Sequence, residues 1–195
     1  MEILSTLGTD NTSRVDPDDL ASVVTTLGHF TCKFLKIIQL NCIVCNIATS
    51  AYLHLQSLDI SWNNLSECDP DILATAMCRL YSVVLKGTHL TVKQTIALTA
   101  MIGESHDLKL HTINLSGNNL SQVPGHTLAR AVCRLQTVVL KDTQLSNDQV
   151  TTVLTFISST TDLKLTKLTF STNLLSKIEI DKDILKKACH KVKIL

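Results

Sequence analysis

The chain contains two long segments that are near-copies of each other, and this repetition constrains its fold more than any other feature. Residues 60–85 read ISWNNLSECDPDILATAMCRLYSVVL, and residues 115–140 read LSGNNLSQVPGHTLARAVCRLQTVVL. Both segments keep NNLS, alanine and CRL, while the residues between these positions differ. Self-similarity at a fixed spacing is typical of a protein built from stacked structural repeats.

A shorter pattern of leucine-type residues divides the chain into units. The pattern L-x-x-L-x-L-x-x-N/T-x-L begins at Leu55, Leu80, Leu110, Leu135 and Leu165. These starts are separated by 25, 30, 25 and 30 residues, so a shorter and a longer unit alternate with a combined period of 55 residues. A weaker unit begins at Leu27, residues 2–12 resemble a damaged unit, and DKDILKKAC predicts a last strand near Val192. We therefore expect about seven units, with the chain ending as an eighth begins.

Each unit predicts one strand followed by one helix. In LQSLDIS, apolar and polar residues alternate, which favours a strand with Leu58 and Ile60 facing inward. In DPDILATAMCRL, Asp69 can cap a helix that has Pro70 at its first position. The longer units carry the capping-box spacing at Thr91 with Gln94 and at Ser146 with Gln149. Because one unit cannot bury its apolar side alone, the units must stack as a parallel sheet covered by helices on one side.

The repeated pattern resembles that of leucine-rich repeat proteins. The alternation of two unit types with full helices resembles the ribonuclease-inhibitor-like class, which includes the repeat domains of NOD-like receptors. The phrases NNLSxVPxxxLAxAVxRL and LxxxQLSxDQVTTVL are similar to repeat proteins expanded in invertebrates and early chordates, which are often linked with innate immunity. The resemblance implies an α/β fold over residues 1–195 as one domain: a curved right-handed solenoid with the parallel sheet on its concave face and the helices on its convex face.

The resemblance also assigns roles to residues that follow the strands. Asn63, Asn118 and Asn173 match the asparagine of the family, whose side chain satisfies backbone groups at the turn after the strand. Thr88 and Thr143 stand where ribonuclease inhibitor has cysteine, and we expect their hydroxyl groups to replace that side chain.

No arrangement of residues predicts catalysis or metal binding. The seven histidines show no HExxH or paired ligand spacing, and the chain lacks G-x-S-x-G, Walker-type and dinucleotide-binding patterns. Cys42 and Cys45 form a lone CxxC, whereas a zinc site requires a second pair of ligands. An odd cysteine count favours reduced thiols, with Cys78 and Cys133 as packing residues. The sequence predicts no enzyme activity, no metal and no cofactor.

Composition narrows the cellular setting and the partner classes. The formal net charge is +1 and 45% of the residues are apolar, which is typical of a globular protein and does not favour nucleic acid as a partner. No stretch reaches the roughly 20 apolar residues of a membrane-spanning helix. The first residues do not have the pattern of a signal peptide. We therefore expect a cytoplasmic protein without a membrane span.

The exposed face of the sheet is the expected binding surface, because its outward side chains have no packing role. The positions predicted to face outward include Ser61, Ser116, Thr169 and Ser171. Lys33, Lys86 and Lys141 take the same outward position in every second unit, which predicts a row with steps of about 10 Å. Such a row can attract an acidic protein, a phosphate or an anionic glycolipid. Alternatively, these lysines only keep the sheet solvated and accompany the duplication of the units.

Aromatic residues extend this predicted surface. Trp62 and Tyr81 are expected to form an anchor pair beside Lys86, since interfaces draw most of their energy from a few such residues. The alternative is that both rings are ordinary loop cover. The predicted partner-binding residues are Lys33, Asp59, Trp62, Tyr81, Val84, Lys86, Asn114, Val139, Lys141 and Lys167.

The sequence thus predicts a non-enzymatic module for protein recognition or scaffolding, and innate immune recognition is implied by the resemblance alone. One alternative is a receptor that binds bacterial surface polyanions through the lysine row. Another is an enzyme regulator, either an inhibitor or a GTPase activator, although the outward positions show neither an arginine nor an acidic face. A homodimer is slightly favoured over a monomer because an exposed sheet edge invites pairing.

Overall fold

The protein is a stack of strand–helix units joined into one sheet. The computed structural model describes residues 15–170 and 181–195, and within these ranges it forms seven helices and seven strands. In chain order they are α1 (Pro17–Thr26), β1 (His29–Thr31), α2 (Ile37–Thr49), β2 (Ser57–Asp59), α3 (Pro70–Cys78), β3 (Ser82–Val84), α4 (Val92–Glu104), β4 (Thr112–Asn114), α5 (Gly125–Arg134), β5 (Thr137–Leu140), α6 (Asn147–Ser159), β6 (Lys167–Phe170), α7 (Lys182–Lys191) and β7 (Lys193–Ile194).

All strands run parallel and follow each other in chain order from β1 to β7. They pair without a register shift, because the first residues of successive strands are partners throughout. Each helix packs against the next helix along the chain. The predicted α/β solenoid, with its sheet on the concave face and its helices on the convex face, is confirmed. The predicted unit at residues 2–12 lies outside the described residues.

Leucine-type residues fill the space between the sheet and the helices. In the second unit, Leu55, Leu58, Ile60 and Leu65 are all buried, as the alternation along the strand predicts. Their burial removes apolar surface from water in every unit, at about 25 cal/mol for each Å². The final strand β7 follows Val192, where the sequence predicts it.

The helix starts agree with the predicted capping residues. The carboxylate of Asp69 accepts hydrogen bonds from the N–H groups of Asp71 and Ile72, with Pro70 at the first helical position. The capping boxes of Thr91 with Gln94 and of Ser146 with Gln149 are present. These side chains satisfy N–H groups that a helix start leaves without partners.

Gln94 has a second role that the sequence does not reveal. Its side-chain nitrogen donates to the carbonyl oxygens of Leu65 and Cys68 in the preceding unit, at 2.7 and 2.6 Å. Gln149 makes the equivalent pair of bonds one 55-residue period later. Each glutamine is buried, so it both caps its own helix and joins that helix to the unit before it.

The predicted asparagines bind backbone groups of two units at once. The side-chain nitrogen of Asn118 donates to the carbonyl oxygen of Leu85 in the preceding unit and to that of Leu115 in its own unit. Its side-chain oxygen accepts from the N–H of Leu90, again in the preceding unit. Asn63 makes the same kinds of contact. Asn173 lies outside the described residues.

Thr88 and Thr143 also satisfy backbone groups. The hydroxyl of Thr88 donates to the carbonyl oxygen of Leu85 at 2.9 Å, and that of Thr143 donates to the carbonyl oxygen of Leu140 at 2.8 Å. Both residues are buried. That these hydroxyl groups replace the cysteine of ribonuclease inhibitor stays a prediction.

The repeated arginine of CRL joins each short unit to the preceding helix through hydrogen bonds. The Arg79 guanidinium donates to the carbonyl oxygens of Ile47, Ala48 and Ser50 at the end of α2. Arg134 binds the end of α4 in the same way, and Lys191 binds the end of α6. A cation at a helix C-terminus satisfies unpaired carbonyls and complements the helix dipole.

Replacement of Asn118 by alanine is expected to lower the free energy of unfolding by about 3 kcal/mol, because three buried backbone groups lose a partner. Replacement of its exposed neighbour Asn119, which accepts one bond from the N–H of Ser121, is expected to lower it by less than about 1 kcal/mol. Urea unfolding followed by circular dichroism measures both values. Equal losses for the two variants would contradict a special role for Asn118.

Replacement of Arg134 by methionine is expected to lower the free energy of unfolding by about 2 kcal/mol, because the carbonyl groups at the end of α4 lose a charged donor. Arg130 on the same helix is exposed and provides the matched control. Its replacement by methionine should change stability by no more than about 0.5 kcal/mol. Thermal and urea unfolding give both values, and a harmless Arg134 variant would refute the proposed link between units.

Candidate functional site

The outward positions at the ends of the strands lie side by side, as the sheet register requires. Lys33, Lys86 and Lys141 follow β1, β3 and β5 at equivalent positions, with Ser61 and Ser116 between them. Backbone bonds continue the ladder beyond the strands, for example from the N–H of Trp62 to the carbonyl oxygen of Lys86. Since neighbouring strands are about 4.8 Å apart, the lysine backbones recur at the predicted steps of about 10 Å.

Three of the predicted outward side chains are buried instead. The N–H groups of Ser61 and Ser116 donate to the side-chain oxygens of Asp59 and Asn114. In these tight turns both serine side chains are buried. Thr169 is buried between β5 and the backbone of the last residue, which continues the pairing of β7 with β6. The expectation of exposure for these three residues was wrong. Ser171, which was predicted to face outward, lies outside the described residues.

A groove of about 420 Å³ lies on the concave face beyond the ends of the middle strands. We call it the concave groove, and it is lined by Trp62, Lys86, Asn114, Ser116, Gly117, Val139, Lys141 and Asp142. Five of the ten predicted partner-binding residues are therefore gathered there. Its volume lies within the range of roughly 300 to 1,000 Å³ that is typical of ligand pockets.

Trp62 and Lys86 form one wall of the concave groove. The Lys86 ammonium lies 5.1 Å from the centroid of the Trp62 ring, which is a cation–π contact. The tryptophan is nevertheless 51% exposed, so a large apolar surface faces solvent beside two lysines. The predicted proximity of Trp62 to Lys86 is confirmed.

Tyr81 does not belong to this wall. It precedes β3, whereas Lys86 follows it, and the five residue steps from Tyr81 to Lys86 span about 16 Å in an extended chain. The Tyr81 ring stacks on His111 instead, with ring centroids 4.4 Å apart. The expected pairing of Tyr81 with Trp62 was wrong because Tyr81 lies before strand β3 and Trp62 lies after strand β2, at opposite ends of these neighbouring strands.

The other predicted residues lie outside the concave groove. The Asp59 carboxylate accepts hydrogen bonds from both the N–H and the hydroxyl of Ser61, which holds it against its own turn. Val84 is half-buried on β3. Lys33 and Lys167 are exposed beyond β1 and at the start of β6.

Sequence reasoning missed a row of left-handed backbone positions beside the groove. The residue after the last outward position has a positive φ in five consecutive units: Phe34 (60°), Trp62 (63°), Gly87 (61°), Gly117 (72°) and Asp142 (55°). We call these five residues the left-handed row. The signal was present, because two glycines at equivalent places in successive units often mark such a backbone. Large side chains in this conformation carry a strain of about 1 to 2 kcal/mol.

Cys78 and Cys133, which lie outside the groove, behave as packing residues. Burial raises the pKa of the Cys78 thiol to about 12 and that of the Cys133 thiol to about 11. Both thiols therefore stay protonated at neutral pH, and a protonated thiol is a poor nucleophile and metal ligand. Across residues 15–170 and 181–195, no group of three or more histidine, cysteine and acidic side chains is arranged to hold a metal. No helix of these ranges has the length and apolar character to span a membrane.

Phe34 offers a direct test of the strain in the left-handed row, since its side chain is 69% exposed. Both Phe34→Gly and Phe34→Ala remove the ring, but only glycine adopts the left-handed conformation without steric strain. The glycine variant is expected to be the more stable of the two by about 1 kcal/mol. Urea unfolding of both variants measures the difference. A more stable alanine variant would mean that position 34 is not strained.

Comparison with known proteins agrees with this geometry. A family model described as Leucine Rich Repeat matches residues 54–76 and 109–130. These two segments contain β2 and β4, the turns of Asn63 and Asn118 and the beginnings of the next helices. No curated protein matches the chain. The matched segments begin 55 residues apart, which is the period of the paired units. The chain therefore folds as a solenoid of the leucine-rich repeat type, and two of its repeats match the family model.

Proposed function

We propose that the chain is a non-enzymatic protein-binding module that recognises its partner through the concave face. The concave groove carries this proposal. Tryptophan is enriched among residues that dominate binding energies, and Trp62, the single tryptophan of the chain, is half exposed there. An exposed aromatic ring beside charged residues is an arrangement that a protein partner can cover with a large gain in free energy.

The chemistry of the groove supports binding rather than catalysis. Acid–base catalysis requires a proton donor and acceptor of suitable pKa within reach of a substrate. Among the described lining residues, Asp142 is the one carboxylate, and none is a histidine or a cysteine. Tryptophan is instead enriched at protein interfaces, and the two lysines can attract an acidic partner.

Innate immune recognition, or a scaffolding role in that setting, is the cellular context that we propose. Its support is the similarity of the NNLSxVPxxxLAxAVxRL phrase to repeat proteins linked with innate immunity. Fold alone carries no information about the partner, so this context depends on the resemblance and not on the groove.

A second candidate function is binding of bacterial surface polyanions. The equivalent positions of Lys33, Lys86 and Lys141 favour it, because a regular row of cations suits a repeating anion. Two features weaken it: neutral Ser61 and Ser116 lie between the lysines, and Lys86 already contacts Trp62. Solvated lysines also lose much of their attraction to anions at physiological salt.

The proposals of an enzyme regulator and of a homodimer have less support. An arginine that enters a GTPase site must be free to move, but Arg79 and Arg134 bind the ends of helices, and the exposed Arg130 lies on a helix, away from the concave groove. Self-association remains a prediction, and light scattering over a range of protein concentrations measures it. A mass of twice 21.4 kDa would support the dimer.

The double variant Lys86→Glu/Lys141→Glu is expected to lose binding to protein ligands of the concave face. We would select binders from a random linear peptide library displayed on phage, with the full chain immobilised. Selected peptides should bind the double variant at least about tenfold more weakly, since two attractive charges become repulsive. Isothermal titration calorimetry measures the affinities.

Lys93→Glu provides the matched control, because Lys93 is exposed on α4, on the convex side. Peptides that bind the double variant as tightly as the unmodified chain, or that are lost only with Lys93→Glu, would contradict the proposed function. Binding of polyphosphate that is lost with the double variant, in the absence of any peptide binder, would favour the second candidate.

A further inference from the structure

The concave groove exists because the left-handed row is interrupted in its middle. Phe34, Trp62 and Asp142 carry side chains in this row, while Gly87 and Gly117 carry none. The row follows the strand register, so its members recur at steps of about 4.8 Å. The backbones that carry Trp62 and Asp142 are therefore three strand spacings apart, about 14 Å, and the two glycines between them leave a gap in the row of side chains.

The Trp62 ring closes the first half of this gap. A Cβ atom added at Gly87 would lie 2.6 Å from two atoms of the Trp62 ring, so the ring occupies the space above that glycine. A Cβ atom added at Gly117 would meet only the backbone of Gly87, at 3.5 and 3.6 Å. The second half of the gap stays open, and Gly117 forms part of the groove lining.

The open half has an apolar side and a cationic side. The exposed part of Trp62 and the half-buried Val139 provide apolar surface. Lys86 and Lys141 contribute two positive charges, against one negative charge from Asp142. The backbones of the two lysines are two strand spacings apart, about 10 Å, so a carboxylate midway between their side chains can interact with both ammonium groups.

We propose that the concave groove anchors an extended segment of a protein partner in which an acidic side chain adjoins an apolar one. The apolar side chain enters the gap over Gly117 and covers Trp62 and Val139. The carboxylate lies between Lys86 and Lys141. This assignment rests on the proposed function, and it adds the location of the anchor and the chemistry of the partner.

Charge favours this occupant, and backbone strain is consistent with a binding site at Trp62. A basic or neutral segment would cover Lys86 and Lys141 without pairing them, and an unpaired cation loses solvation when it is covered. Trp62 holds a left-handed conformation that is unfavourable for a bulky residue. Strained residues cluster at ligand clamps and binding sites, and here the strained residue is the exposed ring that the partner would cover.

Gly117→Asn tests the assignment by filling the gap. Asparagine tolerates the left-handed conformation better than other residues with a side chain, and the space next to Gly117 accepts a Cβ atom. Gln144→Asn is the matched control, because Gln144 also has a positive φ of 56° and is exposed outside the groove lining. Circular dichroism and urea unfolding establish that both variants are folded before binding is measured.

The probes are the peptides selected by display on the unmodified chain, and the readout is the emission of Trp62. Because Trp62 is the single tryptophan, its fluorescence reports on the groove directly. The selected peptides should be enriched in an acidic residue next to an apolar one, and they should change the Trp62 emission in a saturable manner. Gly117→Asn should weaken their binding at least about tenfold, while Gln144→Asn should leave it unchanged.

The outcomes separate this assignment from the proposed function. Peptides that depend on Lys86 and Lys141 but lack acidic residues, or that bind Gly117→Asn as tightly as the unmodified chain, overturn the anchor assignment and leave the protein-binding proposal intact. If no selected peptide depends on the concave face, both proposals fail.

Discussion

The side-chain amides of Asn63 and Asn118 each bind backbone groups of two neighbouring repeats, and the stack depends on these bonds. The chain must turn sharply after every short strand, and the turn buries carbonyl and N–H groups that water cannot reach. Leaving one such group without a partner costs about 1 to 3 kcal/mol. Because each asparagine satisfies its own turn and the turn before it, the repeats stack in one register.

That single register decides what the concave face can present. Equivalent residues of successive units are neighbours in space, so a difference at one position changes the surface locally without altering the fold. The left-handed row shows this effect, since two glycines beside Trp62 produce the concave groove. Lys86 and Lys141 both line this groove only because the 55-residue period places them at equivalent positions of alternate strands.

Patterns local to one unit, or repeated at the period, were predictable from the sequence. The strand centred on Leu58, the caps at Asp69 and Thr91, and the register of the lysines belong to this group. Contacts between units were not predictable, because they depend on how neighbours stack. The bonds of Gln94 and Arg79 to the preceding unit are examples. The placement of Tyr81 beside Trp62 was wrong, because Tyr81 precedes β3 whereas Trp62 follows β2. The length of a strand therefore separates the two residues, and Tyr81 stacks on His111. The direction of the Trp62 ring depends on a missing side chain at Gly87 in the next unit.

Quenching of Trp62 fluorescence by small ions measures most directly whether an exposed ring lies in a positively charged groove. Iodide should accumulate near Lys86 and Lys141, whereas caesium should be repelled. At matched ionic strength we expect iodide to quench the emission more strongly than caesium, and Lys86→Gln should reduce the difference. An emission that neither ion quenches, or that caesium quenches as strongly as iodide, would contradict the groove as described.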